Sequence, residues 1–192
     1  MTTKVLSGKA PRPMQEFVLL QEVSRAQGPK ETRVAFRALK KFRPRTRSLL
    51  FAKGMFMQRT RGLQAVLSQV SRMRGTRAAI LLSSVGKKLT DAEFQALLET
   101  YLLCNQKEAS YIDAESRRVR AIYEDKATAL ATAILSAATV PKLEPLRRMF
   151  ERIILTPSAQ HYVLALLSVG KPKDVLGIIK KVEQQPTEIR YW

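Results

Sequence analysis

The chain has little of the chemistry that enzymes and metal proteins need. It contains one cysteine and one histidine among 192 residues. The single thiol, Cys104, excludes an intrachain disulfide and a zinc cage made of the chain's own thiolates. A catalytic triad or dyad built on imidazole would have to use His161, which we interpret as a packed or groove-facing residue. We therefore predict no catalytic residues, no metal site and no cofactor.

Long apolar runs and phosphate-binding loops are also missing. The longest stretch without formal charge, residues 153–170, is interrupted by polar residues and predicts a loop and a core helix. No apolar segment follows the N-terminus, so no secretory signal is expected. Gly86 and Gly170 each precede a lysine, but neither has the glycine and hydroxyl residue that a phosphate loop requires. We expect no membrane insertion and no small-molecule substrate.

Carboxylates are scarce in the first part of the chain. None occurs in the 59 residues between Glu31 and Asp91. Residues 1–77 hold 18 Lys and Arg against three acids, a net charge of +15, whereas the remaining residues carry only +3. Cations without local partners indicate an acidic ligand, and nucleic acid is the strongest candidate because phosphate neutralisation releases condensed counterions. Arginine predominates, which favours bidentate phosphate contacts.

The predicted RNA-binding residues all belong to this basic part. They are Arg33, Arg37, Lys40, Lys41, Arg43, Arg45, Arg47, Lys53, Arg59, Arg61, Arg72, Arg74 and Arg77. Two aromatic residues, Phe36 and Phe42, lie between these bases. Two interpretations stay open for them: they stack on unpaired bases of RNA, or they anchor the helix in a core together with Leu39.

Apolar residues recur with the period of helices, and strand signals are poor. The predicted helices span residues 14–26, 31–42, 48–57, 60–73, 77–85, 91–103, 107–123, 126–138, 143–154, 158–169 and 175–184. The helix over 107–123 either continues into 126–138 or breaks near Asp125, and the helix over 77–85 is expected to pair with the one over 91–103. Phe17 and Leu20 define the expected apolar stripe of the first helix, with Val18 and Leu19 as further candidates. Thr90 with Glu93 predicts a capping box. We predict an all-α fold of helical hairpins stacked as a short repeat-like array, with a basic extended N-terminal arm. The arm, residues 1–47, would include one or two helices, and residues 48–192 would form the body.

A faint internal repeat supports the hairpin interpretation. Residues 81–88 and 166–173 both begin with Leu-Leu-Ser and then contain Val-Gly-Lys, and both segments lie at the end of a predicted helix. The segment 126–191, and more loosely 48–105, resembles the pentatricopeptide repeat, a helical hairpin of organellar RNA-binding proteins. The resemblance implies a stack of hairpins that binds RNA, with the base-reading positions near His161 and Tyr191.

Charge and resemblance together lead to one expected function. We expect a structural RNA-binding subunit of a ribosome-like ribonucleoprotein, with the mitochondrial ribosome as the leading case and rRNA and neighbouring proteins as partners. A stand-alone helical-repeat RNA-processing factor and a scaffold subunit of a mitochondrial protein complex remain alternatives. The expected compartment is the mitochondrion, with plastid and cytoplasm open. The terminal aromatics Tyr191 and Trp192 are expected to dock on a partner or on the last hairpin.

Overall fold

The computed structural model describes residues 10–86, 88–111 and 117–184, so the predictions for the terminal aromatics and for residues 1–9 lie outside the described residues. The described chain consists of α-helices and short 3-10 turns, without a β-strand, which confirms the all-α prediction. The helices are α1 Arg12–Arg25, α2 Pro29–Lys41, α3 Thr46–Arg61, α4 Leu63–Ser71, α5 Gly75–Leu82, α6 Asp91–Ser110, α7 Arg117–Ala137, α8 Leu143–Phe150, α9 Gln160–Val169 and α10 Pro172–Gln184.

Local sequence explains where several helices begin and end. Thr90 accepts a hydrogen bond from the Glu93 amide and the Glu93 carboxylate accepts one from the Thr90 amide, so the predicted capping box starts α6. α6 continues to Ser110, beyond its expected end at residue 103. The single helix expected over 107–123 is wrong, because residues 107–110 belong to α6 and α7 begins only at Arg117. α7 then passes through Asp125 without a break, so the expected continuation into 126–138 is confirmed and the break is not.

The main core surrounds α7, which packs against α5, α6 and α9. Its apolar face places Leu130 and Ile134 at complete burial. Tyr101 of α6 and Tyr162 of α9 stack with ring centroids 5.0 Å apart, and this stack fastens the C-terminal helices to the centre. The expected pairing of the α5 and α6 segments is wrong, because α5 packs mainly on α3 and α7 and α6 packs mainly on α7.

A second, smaller core joins α1, α2 and α3. It consists of Leu19, Val23, Leu39, Ala52 and Met55. Phe36 of α2 and Phe56 of α3 stack at 4.7 Å, and they connect this core with the main one. The predicted boundary after residue 47 falls in the first turn of α3, a helix that contributes to both cores.

The structure corrects the predicted apolar stripe of α1 at Phe17. Leu19 and Val23 are buried, whereas Phe17 keeps 58% of its surface exposed. Ser48 of α3 donates a 2.5 Å hydrogen bond to the carboxylate of Glu16, which turns the Glu16 side of α1 toward α3. Phe17, the next residue, then faces solvent because successive helical side chains lie about 100° apart.

Gly54 allows α3 and α5 to approach closely. A Cβ at this position would collide with the Ser84 hydroxyl and would lie 2.5 Å from the carbonyl oxygen of Leu81. Any larger residue would therefore push α5 away from α3. This close approach shapes the groove between α1, α3 and α5 that is described below.

Candidate nucleic-acid interface

α2 separates basic from apolar side chains. Thr32 and Leu39 are fully buried on one side of the helix. Arg33, Arg37 and Lys40 are spaced by four and three residues and lie together on the exposed side. We call the exposed set Lys30, Arg33, Arg37, Lys40 and Lys41 the α2 basic stripe. Eleven helical steps separate its ends, so the stripe is about 16 Å long.

Lys30 is missing from the predicted RNA-binding set, although it shares this face. The signal for it was available in the sequence, because Lys30 precedes Arg33 by three residues and Arg37 by seven. Residues at these separations face the same side once the segment is known to be helical. The helix begins at Pro29, which brings Lys30 inside it.

The basic surface continues through the turn between α2 and α3. Arg43 and Arg45 lie in this turn and Arg47 in the first turn of α3, and all three are exposed. Arg43 has φ 56°, the left-handed conformation that glycine or asparagine usually occupies after a helix. Its amide donates a 3.1 Å hydrogen bond to the Lys40 carbonyl oxygen, and its own carbonyl oxygen accepts one of 3.4 Å from the Arg12 guanidinium. These bonds fix the turn, so the three arginines follow the α2 basic stripe in a defined order.

These cations have no carboxylate partners in the described ranges. The ion pairs found there use Lys142, Arg147, Arg148 and Arg152, and none uses a base from residues 10–77. Glu16 is occupied by Ser48, and Glu31 accepts a 2.9 Å hydrogen bond from the Gln27 amide. In the described ranges, the bases of the N-terminal part are therefore not only in excess but also without ion pairs, whereas bases of the C-terminal part form them.

Arg59 has a structural contact that the sequence did not indicate. Its guanidinium donates hydrogen bonds of 2.6 Å and 2.7 Å to the carbonyl oxygens of Val23 and Ser24. It thereby caps the C-terminal end of α1, where carbonyl oxygens lack partners within the helix. Lys53 is half-buried within α3. The RNA-binding roles predicted for both residues stay predictions.

The remaining predicted bases lie away from α2 along the chain. Arg61 is exposed at the end of α3, and Arg77 is exposed within α5. Arg72 and Arg74 flank the turn between α4 and α5. Within the described ranges, no hydrogen bond or ion pair links these four residues to the α2 basic stripe.

Phe36 and Phe42 are both engaged within the protein. Phe36 stacks on Phe56, with an angle of 16° between the rings. The guanidinium of Arg12 lies 5.5 Å from the centre of the Phe42 ring, a cation–π contact. Both side chains are half-buried and contact the smaller core. Of the two interpretations given above, the structure agrees with core anchoring.

The other reactive side chains are placed for packing. Cys104 is buried, and burial raises the pKa of its thiol to about 11. Glu108 is fully buried, and its carboxylate accepts hydrogen bonds from Thr156, at 2.8 Å, and from Ser158. Burial raises the pKa of Glu108, while these hydrogen bonds oppose the shift. This cluster ties the end of α6 to the start of α9. His161 is half-buried on α9.

Comparison of the chain with protein-family models, with curated proteins and with solved structures found no match. The pentatricopeptide resemblance and the organellar setting therefore stay predictions. Among the described residues there is no group of three or more His, Cys, Asp or Glu side chains placed to hold a metal ion. None of the described helices has the length and apolarity needed to cross a membrane.

Proposed function

We propose that this chain is a structural RNA-binding subunit of a ribosome-like ribonucleoprotein, with the mitochondrial ribosome as the particle. The α2 basic stripe and the arginines at 43, 45 and 47 contact rRNA phosphates. One observation supports this most directly: an ordered row of exposed bases on a rigid helix that no carboxylate of the described chain neutralises.

The geometry favours a phosphate backbone over an acidic protein. A stripe about 16 Å long on one helix face matches the dense, regular charge of a polynucleotide strand. Arginine side chains grip phosphate through paired N–H donors. Such contacts position a protein on its RNA and carry no sequence information by themselves. The role that follows is structural, without a base-reading code along the stripe.

An apolar face on α10 supports assembly with protein neighbours. On α10, Val175, Leu176, Ile179 and Val182 each expose between 41% and 61% of their surface. Terminal units of stacked helices need a polar outer face to stay soluble alone. A helix with this face uncovered is suited to a subunit that is packed between other proteins.

The same face favours a second candidate, a scaffold subunit of a mitochondrial protein complex. In that case the α2 basic stripe would bind an acidic protein or anionic lipid. The two candidates differ in what removal of the stripe abolishes. Loss of rRNA binding supports the first, and retained rRNA binding with loss of a protein or vesicle contact supports the second.

The decisive experiment compares two triple variants of the full chain. R33Q/R37Q/K40Q removes three charges from the α2 basic stripe, and K171Q/K173Q/K180Q removes three exposed charges around α10. Binding to a structured rRNA fragment is measured by filter retention over a range of salt concentrations. For the wild type, the affinity should fall steeply with salt.

The stripe variant should lower the slope of log affinity against log salt by roughly 2 to 3, because each phosphate contact contributes about 0.9. The α10 variant should leave the slope nearly unchanged. Equal effects of the two variants would mean that the stripe has no special role. Salt-insensitive binding would reject the proposal itself, and strong preference for one single-stranded sequence would favour the RNA-processing alternative.

A further inference from the structure

A groove opens beside the basic turn, where α1, α3 and α5 meet. Its volume is about 490 Å³, and its lining includes Leu20, Arg47, Ser48, Phe51, Ile80 and Ser83. The lining is mainly apolar, with one arginine at the position where α3 begins. The close approach of α3 and α5 at Gly54 holds two of its walls together.

The lining charge distinguishes this groove from three others. The groove between α5 and α7 includes Glu124 and Asp125. The groove along α1 and α2 includes Glu22 and Glu31, and the one between α8 and α10 includes Glu151 and Asp174. A carboxylate in the lining would repel a phosphate-bearing ligand. The groove beside Arg47 has a cation and no carboxylate in its lining.

Two hydroxyl groups supply polar contacts within the apolar lining. Ser83 donates a 2.8 Å hydrogen bond to the Ile80 carbonyl oxygen, and Ser48 donates to Glu16. Because each hydroxyl already donates its hydrogen to a protein acceptor, the Oγ atoms of the two serines can only accept further hydrogen bonds. They would suit the N–H groups on the edge of a nucleobase. Glu16 itself is only 8% exposed and is directed at Ser48.

We propose that this groove binds one unpaired nucleobase of the RNA, with Arg47 on the adjoining phosphate. This inference rests on the proposed function and assigns to the RNA a flipped or single-stranded nucleotide next to the contacts of the α2 basic stripe. Phe51 offers a π-face and Leu20 and Ile80 offer apolar contacts, the usual surroundings of an unstacked base. The exposed Phe17 lies one turn before Leu20 on α1.

The test uses the full chain and two probes of equal phosphate charge. One probe is a single-stranded RNA of mixed sequence and about 12 nucleotides, a length that single-strand-binding domains commonly cover. The other probe is an abasic oligomer of the same length. Ser83→Leu fills the groove without changing charge. Ser68→Leu is the matched control, an identical change at an exposed position on α4.

The wild type should bind the base-containing RNA about fivefold to tenfold more tightly than the abasic oligomer, as one stacked base would require. Ser83→Leu should abolish that difference and leave the affinity for the abasic oligomer unchanged. Ser68→Leu should retain the wild-type difference. Equal binding of both probes by the wild type, with the salt dependence intact, would reject the groove while leaving the proposed function standing. Binding to neither probe nor to the rRNA fragment would reject both.

A second measurement does not depend on how Ser83→Leu folds. The RNA is prepared with 4-thiouridine, crosslinked to the wild type by long-wavelength light, and the crosslinked peptides are identified by mass spectrometry. Crosslinks on the peptides that contain Phe51 or Ile80 are the expected result. Crosslinks confined to α2 would overturn the inference.

Discussion

The guanidinium of Arg59 donates a 2.6 Å hydrogen bond to the backbone carbonyl oxygen of Val23, 36 residues earlier in the chain. A second bond, of 2.7 Å, reaches the carbonyl oxygen of Ser24. The C-terminal end of α1 is therefore capped by a side chain of α3, and a residue of the basic N-terminal part is used inside the protein. Part of the excess charge is thus structural.

Replacing Arg59 should separate this structural role from RNA binding. We expect Arg59→Gln to lower the free energy of unfolding by roughly 1–2 kcal/mol, since two charge-assisted hydrogen bonds are lost. Arg61→Gln, two residues later and exposed, should change it by less than about 0.5 kcal/mol. Urea unfolding followed by circular dichroism measures both. Equal destabilisation by the two variants would show that the cap at α1 contributes nothing.

The left-handed conformation of Arg43 leads to a prediction in which stability and affinity change in opposite directions. Glycine adopts φ 56° without steric cost, whereas other residues lose about 1 kcal/mol in this region. Arg43→Gly should therefore leave the free energy of unfolding unchanged or raise it by up to about 1 kcal/mol. The same variant should weaken rRNA binding and reduce the salt slope by about 0.9, because one phosphate contact is lost.

The matched control at this position is Arg43→Asn, which also tolerates left-handed backbone and also removes the charge. It should match the glycine variant in RNA binding. Thermal melting and filter binding are measured on the same samples. If either variant is clearly destabilised, the arginine side chain stabilises the turn by more than its left-handed conformation costs.

Glu108 predicts how stability depends on pH. Burial raises the pKa of its carboxyl above the ordinary 4.5, so the folded protein holds this proton more tightly than the unfolded chain does. The stabilisation that the proton provides is complete below pH 4.5 and is lost as the pH rises through the raised pKa. Glu108→Gln cannot ionise. Its stability relative to the wild type should therefore increase as the pH rises from about 4.5 to about 7.

Glu144→Gln is the control, the same substitution at an exposed position on α8, where the carboxylate pairs weakly with Arg148. It should change the free energy of unfolding less than Glu108→Gln at every pH. Denaturant titrations at several pH values give the difference directly. A constant offset between Glu108→Gln and the wild type across this range would exclude a raised pKa in the folded state.

Local patterns predicted the helices well because helix formation depends on nearby residues. The capping box needs only Thr90 and Glu93, three positions apart, and the structure confirms it. The positions of α1, α2, α9 and α10 follow from apolar spacing and from glycine and proline. Errors at helix ends, such as the extra turns of α6 to Ser110, arise where tertiary packing extends a helix beyond its own sequence signals.

Contacts between distant residues could not be predicted in the same way. The segments α5 and α6 are neighbours in sequence, yet each of them packs mainly against α7 rather than against the other. Phe17 and Leu19 are both apolar residues of α1, but only Leu19 packs with residues of α2 and α3, on the side of α1 where Ser48 binds Glu16. Likewise, nothing near Arg59 or Arg61 in the sequence shows that only the first reaches α1.

The candidate interface shows the same division. The alignment of Arg33, Arg37 and Lys40 follows from helical spacing and was available from the sequence. The groove beside Arg47 could not be predicted from the sequence. Its walls come from three helices, and its lining residues range from Leu20 to Ser83 along the chain. Its recognition required the packing of α3 against α5, which depends on the absence of a side chain at Gly54.

The central position of α7 has a consequence during translation. The apolar faces of α5 and α6 have no packing partner until Leu130 and Ile134 of α7 have left the ribosomal exit tunnel. A nascent chain that stops before residue 137 therefore cannot complete its main core. The cluster of Leu19, Val23, Leu39, Ala52 and Met55 needs only residues 19–55 and is complete far earlier. Synthesis therefore delivers the helices that carry the basic stripe first, while the larger part still requires protection from aggregation.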